Sequence, residues 1–196
     1  MNKHCKGRVL FRRYADDSVV CFEHESDARA YLRTLPKRLG KYSLSLAEEK
    51  SSLVRFDRSD PDRSGKFTFL GFDFYWGRSR RNPRYVIVKR RTNREKFRQS
   101  LRAMKEWIRK KRCGKLNELL ASLRRKLLGY RNYYGVIGNS HMLARYYCAV
   151  QRMLYKWLNR RSQRRSMTWA QFQRRLPGWE LPPPRVVEEP LRAGLP

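Results

Sequence analysis

From residue 92 onward the apolar side chains recur every three or four positions, the period of one helix face and not of a strand. Phe97, Leu101, Met104 and Ile108 make one stripe. Leu116, Leu120, Leu123, Leu127, Tyr130 and Tyr134 make a second, and Leu143, Tyr147, Val150, Leu154 and Trp157 a third. Three such stripes, separated by short polar breaks such as "GNSH", commit residues 91–178 to a packed helical domain. Thr92 and Glu95 have the T-x-x-E spacing of a capping box, which starts the first helix. A short fourth helix is expected from Thr168 to Leu176, stopped by Pro177 and Gly178. The stretch "LPPPRVVEEPLRAGLP" holds five of the nine prolines and predicts a disordered tail over residues 179–196.

Residues 1–90 read differently. Short apolar runs at 8–14 and 18–23 flank a polar pair and suggest a β-hairpin. Ser26 is placed to cap a helix carrying Ala28, Tyr31, Leu32, Leu35 and Leu39, which Pro36 would break or kink. "SLSLAEEKSSLVRF" reads as a turn into a strand ending near Phe56, and "DRSDPDRSG" as a polar loop. "KFTFLGFDFYW" and "RYVIVK" then read as two strands across "GRSRRNP". The fold class expected is α+β: β-hairpins plus a helix, followed by an all-α helical domain.

Charge narrows the function. Residues 1–76 hold 15 basic and 11 acidic side chains, whereas residues 77–196 hold 32 basic and 6 acidic. A solvated helix face usually mixes signs. A net +26 over 120 residues repels itself unless a polyanion neutralises it, and arginine, the more frequent cation here, matches phosphate with its planar fork. Tyrosine and tryptophan interleave with arginine in "YRNYYG" and "LARYYCAVQRMLYKWLNRR", as stacking plus phosphate contact requires. At helical spacing some of these rings must also be core.

Other classes find no support. No apolar run approaches the roughly 20 residues of a membrane span, and no secretory h-region opens the chain. Cys5, Cys21, Cys113 and Cys148 form no C-x-x-C pair and have no zinc spacing to His4, His24 or His141, so reduced thiols in a cytoplasmic protein are expected.

The chemistry concentrates in "VLFRRYADDSVVCF", residues 9–22. Asp16 and Asp17 stand side by side between two strand-like runs, where adjacent carboxylates repel unless a cation shares them. Nucleotidyl transfer uses two divalent cations about 4 Å apart, one activating the 3′-hydroxyl and one carrying the triphosphate. Mg²⁺ takes hard oxygen ligands, and a tight turn leaves carboxylate oxygens open to it. Taken alone, the dipeptide reads first as an ordinary polar hairpin turn, since Asp is common in turns, and only second as a metal site.

The surroundings of the pair resemble a known family. "YADD" between an apolar strand and "SVVCF" is similar to the catalytic hairpin of reverse transcriptases. "LSLAEEKSSLVRF" resembles the block that follows it there, a turn, E-K-T and a strand, with Ser51 in place of the threonine. "FLGFDF" resembles the hairpin that grips the primer. "LNELLASLRRKLLGYRNYYGVIGNSHMLARYYCAVQRMLYKWLNRR" is similar to the thumb and maturase region of group II intron-encoded proteins. Its G-W-x-N-Y signature has Tyr130 in place of tryptophan. The blocks fall in family order over about residues 8 to 176.

The resemblance implies an RNA-directed DNA polymerase that also binds intron RNA as a maturase, or a non-catalytic RNA-binding splicing factor. Asp16 would be the main Mg²⁺ ligand and Asp17 the supporting one. Tyr14 and Ala15 would line the floor under primer end and nucleotide. Lys50 would sit near the triphosphate as a catalytic group, an ordinary strand-edge lysine being the alternative. Leu70 and Gly71 would form the primer-grip turn. Arg124, Arg125, Lys126, Arg131, Asn132 and Tyr133 would contact RNA. The implied partners are intron RNA, an RNA template with its DNA primer, and dNTP, in a cytoplasmic, bacterial, nucleoid-associated setting without a membrane.

Family polymerases also carry a third carboxylate, basic fingers and a nucleotide-pocket helix before the hairpin, where this chain has 13 residues before Tyr14. Asp57, Asp60, Asp62 and Asp73 follow the hairpin, in the wrong order to replace that carboxylate. The expectation is the C-terminal part of such an enzyme, a truncated or split chain, active only with a complementary N-terminal fragment.

Overall fold

A computed structural model of the chain describes residues 5–79, 82–161 and 167–189. The chain divides into two compact units, residues 1–88 and 89–196.

The first unit opens on the expected hairpin. Strands β1 (Val9–Tyr14) and β2 (Asp17–Phe22) pair antiparallel from Val9↔Phe22 to Tyr14↔Asp17, leaving Ala15 and Asp16 as a two-residue loop. Helix α1 (Glu25–Gly40) follows. Its N-cap is His24, not Ser26, and makes no side-chain cap bond. Asp27 in the first turn is buried and accepts the amides of Lys6 (2.8 Å) and Gly7 (3.2 Å), tying the entry of β1 to the helix. Pro36 does not end α1. It removes one backbone donor near the C-terminal end, and Leu39 O still receives the amides of Tyr42 and Leu44 to close the last turn.

The expected strand ending near Phe56 is absent. Glu48–Lys50 form a single 3-10 turn, and residues 51–56 run on irregularly. Phe56 is held by its ring instead, 5.1 Å from Phe67 and 5.2 Å from Trp76, so aromatic contact fixes this segment where ladder bonds do not. Strands β3 (Phe67–Phe69), β4 (Phe72–Arg78) and β5 (Val86–Thr92) lie in that order in one sheet. Among the described residues of this unit only Ala28 and Phe72 are fully buried apolar side chains, while Leu10 and Tyr14 stand 52% and 66% exposed.

The second unit carries the larger core. Helices α2 (Arg94–Lys111), α3 (Leu116–Tyr134) and α4 (Ser140–Leu158) follow the three apolar stripes. Met104, Ile108, Leu120, Leu123, Leu127, Val150 and Leu154 are buried together, with Leu119 and Tyr146 added from positions beside the predicted stripes. Each fully buried side chain of this size contributes roughly 1.5–3 kcal/mol, more than helix propensity supplies. Helix α5 (Trp169–Arg175) begins at Thr168 with a capping box to Gln171, and its Phe172 is fully buried between Tyr155, Trp169 and Trp179.

The cap of α2 is shifted by one residue from the sequence expectation. Thr92 is buried, with its amide bound to Asn139 Oδ1 at 2.9 Å and its hydroxyl to Asn139 Nδ2 at 2.9 Å. Asn93 therefore caps the helix, accepting the amides of Glu95 (3.0 Å) and Lys96 (3.2 Å).

The proline-rich stretch predicted to be disordered is instead an ordered strap over its described residues. Leu181 is buried in the helical core. The amides of Val187 (2.8 Å) and Glu188 (3.1 Å) bind Gly135 O, and Glu188 pairs with Arg90 and accepts the Ile137 amide at 2.7 Å. A Cβ on Gly135 would stand 2.3 Å from Arg131 O, so the end of α3 itself requires glycine there, and at 3.0 Å it would also crowd Val187 Cγ2 of the strap.

Burial alone would raise the Glu188 pKa, but the Ile137 amide and the Arg90 guanidinium outweigh it and hold the carboxyl below its ordinary 4.5. A carboxylate with a lowered folded pKa adds stability above its unfolded pKa and loses it as the pH falls through the folded value. Glu188→Gln should therefore cost about 1 kcal/mol at pH 7, given that the pair is part-exposed. In acid titration the two proteins should converge in stability below pH 4.5. A gap that stays constant down to pH 3 refutes this role.

Candidate active-site hairpins and nucleic-acid interface

The Asp16–Asp17 pair sits at the tip of the β1–β2 hairpin with both residues exposed. Ala15 has φ +49° and Asp16 is not in the positive-φ region, the sign pattern of a type II′ turn. Such a turn asks for glycine at its first loop position, so Ala15 holds roughly 1 kcal/mol of strain. Arg13 Nε donates to Ala15 O at 2.8 Å and braces the turn from its backbone side. Tyr14 is exposed opposite Asp17. Among the described residues neither Asp16 nor Asp17 has a hydrogen-bond or ion-pair partner for its carboxylate. In a chain with 47 basic residues, two adjacent acids left without a cation are a hard-oxygen donor pair whose chemistry fits a divalent metal. Among the described residues no group of three His, Cys, Asp or Glu is clustered for a metal.

The β3–β4 hairpin is built on the same plan. Phe69↔Phe72 close a loop of Leu70 (φ +49°) and Gly71 (φ +74°), the sign pattern of a type I′ turn. Beneath it, Phe67 stacks on Phe74 at 5.1 Å, and Thr68 Oγ1 donates to buried Asp73 at 2.9 Å. Lys50 is exposed in the 3-10 turn, and among the described residues no hydrogen bond or ion pair joins it to Asp16 or Asp17.

The structure sorts the six basic and aromatic candidates of α3 into two groups. Arg125, Lys126, Asn132 and Tyr133 are exposed and share one face of the helix. Arg125 reaches Ser122 Oγ at 3.4 Å, and Lys126 Nζ lies 5.1 Å over the Trp107 ring. Arg124 and Arg131 belong to the protein's own structure. Arg124 Nε donates to Trp179 O at 2.9 Å and its guanidinium lies 3.5 Å from Glu180. Arg131 lines a shallow pocket with Leu127, Tyr130, Tyr146, Tyr147 and Pro182–Pro184, and its Nε is buried without a hydrogen-bond partner among the described residues.

The aromatics sort likewise. Tyr130 stacks on Tyr146 at 3.6 Å, and burial pushes the Tyr146 phenol up to about 12 and the Tyr130 phenol higher still. These are core rings, and Tyr133, 53% exposed, is the one of "YRNYYG" open for stacking. Around Trp157, itself buried, Arg112, Lys156 and Arg160 gather at 5.0, 6.0 and 5.6 Å. Arg112 and Arg160 are the nearer two, and all three lie within cation–π reach of the ring.

Sequence reasoning missed Asn139, Glu188 and Asp27. The Asn in "GNSH" reads only as part of a polar break, because a side-chain bond to a residue 47 positions away leaves no local signal. Glu188 is hidden by the proline-rich composition around it.

Two family models match this chain. That of the reverse transcriptase, an RNA-dependent DNA polymerase, matches residues 1–74, and that of the group II intron maturase-specific domain matches residues 87–176. In that order they take in most of the sequence, and the chain belongs to the group II intron reverse transcriptase/maturase family. No curated protein gives a significant match. Among the described residues no helix is long and apolar enough to cross a membrane.

Proposed function

We propose that the first unit supplies the metal-holding and primer-holding hairpins of an RNA-directed DNA polymerase, and that the second binds intron RNA as a maturase does. The observation that carries the polymerase reading is the Asp16–Asp17 pair, exposed and without a cationic partner at a strained turn. Asp16 and Asp17 would hold Mg²⁺, which when bound supplies charge neutralisation for the reacting phosphates. Tyr14 and Ala15 would line the primer and nucleotide floor, Leu70 and Gly71 the primer grip, and Lys50 the approach of the triphosphate. A third carboxylate and basic fingers, supplied with the rest of a palm, complete the reading. The exposed Leu10 of β1 supports it by leaving apolar surface for such a layer.

The RNA reading rests on charge. Residues 89–196 hold 28 basic and 6 acidic side chains, and Arg125, Lys126, Asn132 and Tyr133 share an exposed face. This favours, as a second reading, RNA binding by the chain without catalysis. Affinity for a folded group II intron RNA should fall about a hundredfold or more between roughly 50 and 200 mM salt, as several phosphate contacts require. It should be the same for Asp16→Asn. Filter binding over that salt range tests both, and affinity no higher than for a neutral polymer rejects the RNA reading.

A further inference from the structure

Helix α3 contains a glycine that the fold itself does not use. Gly129 lies inside Leu116–Tyr134, five residues before its end, with an ordinary right-handed backbone, and among the described residues a Cβ placed on it would meet nothing within 4 Å. Gly135, six residues on, is the contrast, since a Cβ there collides with the Arg131 carbonyl and crowds the strap. Glycine is among the least favourable residues in a helix interior, because it costs backbone entropy and packs nothing. At Gly129 neither a turn nor an internal contact offsets that cost.

Its neighbours on the helix surface are the residues three and four positions away. These are Arg125, Lys126, Asn132 and Tyr133, the four α3 candidates that the structure leaves exposed. Gly129 is thus the floor of a notch walled by two cations, an amide and an aromatic ring. Arg125 and Lys126 have no ion-pair partner among the described residues.

We propose that this notch seats the sugar–phosphate backbone of the bound RNA against helix α3. Gly129 lets a strand approach closer than any side chain would, while Arg125 and Lys126 meet its phosphates. The inference rests on the reading that the second unit binds RNA. Its occupant is chosen by charge, since 28 basic against 6 acidic side chains in residues 89–196 select a polyanion over an apolar partner.

Gly129→Ala and Gly129→Gln test it in the full chain, with thermal unfolding and filter binding to a folded group II intron RNA. Both substitutions improve helix propensity, so the thermal midpoint should rise, by about 4 °C for alanine. RNA affinity should fall, about tenfold for alanine (roughly 1.4 kcal/mol) and further for the longer glutamine. Opposite signs in the two measurements are the signature of a contact site. RNA affinity equal to or above wild type in Gly129→Ala overturns the proposal, as does a midpoint that fails to rise, which would make the glycine a need of the fold. If wild type itself shows no salt-dependent RNA binding, the underlying RNA reading has failed instead.

Discussion

Asp16→Asn is expected to cut Mg²⁺-dependent primer extension by about a thousandfold, roughly 4 kcal/mol at 1.36 kcal/mol per decade, once fingers and a full palm are supplied. The size follows from what a metal contributes to phosphoryl chemistry, several kcal/mol of charge stabilisation held by few ligands. Asparagine keeps the shape but removes the charge, and it presents one oxygen instead of two. The fold should not notice, because the Asp16 carboxylate has no hydrogen-bond or ion-pair partner among the described residues. Unfolding free energy should stay within about 0.5 kcal/mol. Activity lost with stability retained is therefore the expected pair of results. Undiminished extension in the reconstituted enzyme would remove Asp16 from the metal site.

Asn139→Ala should lower the stability of the helical unit by about 4 kcal/mol. Asn139 is 1% exposed and makes three bonds, from the Thr92 amide, to the Thr92 hydroxyl, and to Tyr134 O at 2.8 Å. Alanine leaves a buried amide and a buried carbonyl unpaired, each costing about 1–3 kcal/mol, and opens a small cavity. The midpoint should fall by about 15 °C or more for a unit of this size. Asn139→Asp separates the contributions, since it keeps the acceptor for the Thr92 amide but loses both donors and buries a charge. It should be no more stable than alanine. A loss under about 1 kcal/mol in Asn139→Ala would mean that water replaces the amide.

The helices were legible because period and packing agree. Ile108, Leu123, Val150 and Leu154 were expected in the core and are fully buried there. The hairpin at Asp16–Asp17 was legible too, because two short apolar runs around a polar pair leave few alternatives. What escaped was set by long-range partners. Asn139 claims Thr92 and so moves the helix cap to Asn93. Phe56 is fixed by rings that come later in the chain, so its segment is irregular where the sequence reads as a turn into a strand. Composition misled at residues 181–189, where prolines that suggest disorder lie against Tyr130, Tyr146 and Tyr147. Of the RNA candidates, sequence could not tell Arg124, bonded to Trp179 O, and Arg131, turned into the pocket beside Tyr130, from Arg125 and Lys126, because adjacent helix positions differ in face and not in chemistry.

The strap sets the timetable by which the helical unit is completed during synthesis. Glu188 closes on Arg90, 98 positions earlier, and Gly135 O receives its strap donors only then. At about 5–20 residues per second, Arg90 leaves the peptidyl-transferase centre roughly 5–20 s before its partner. Each helix forms its own turns on a scale far shorter than that delay, although α2 must wait for α4, its main packing partner, to be made. The nascent unit therefore carries Arg90 unpaired until the last residues of the strap are made.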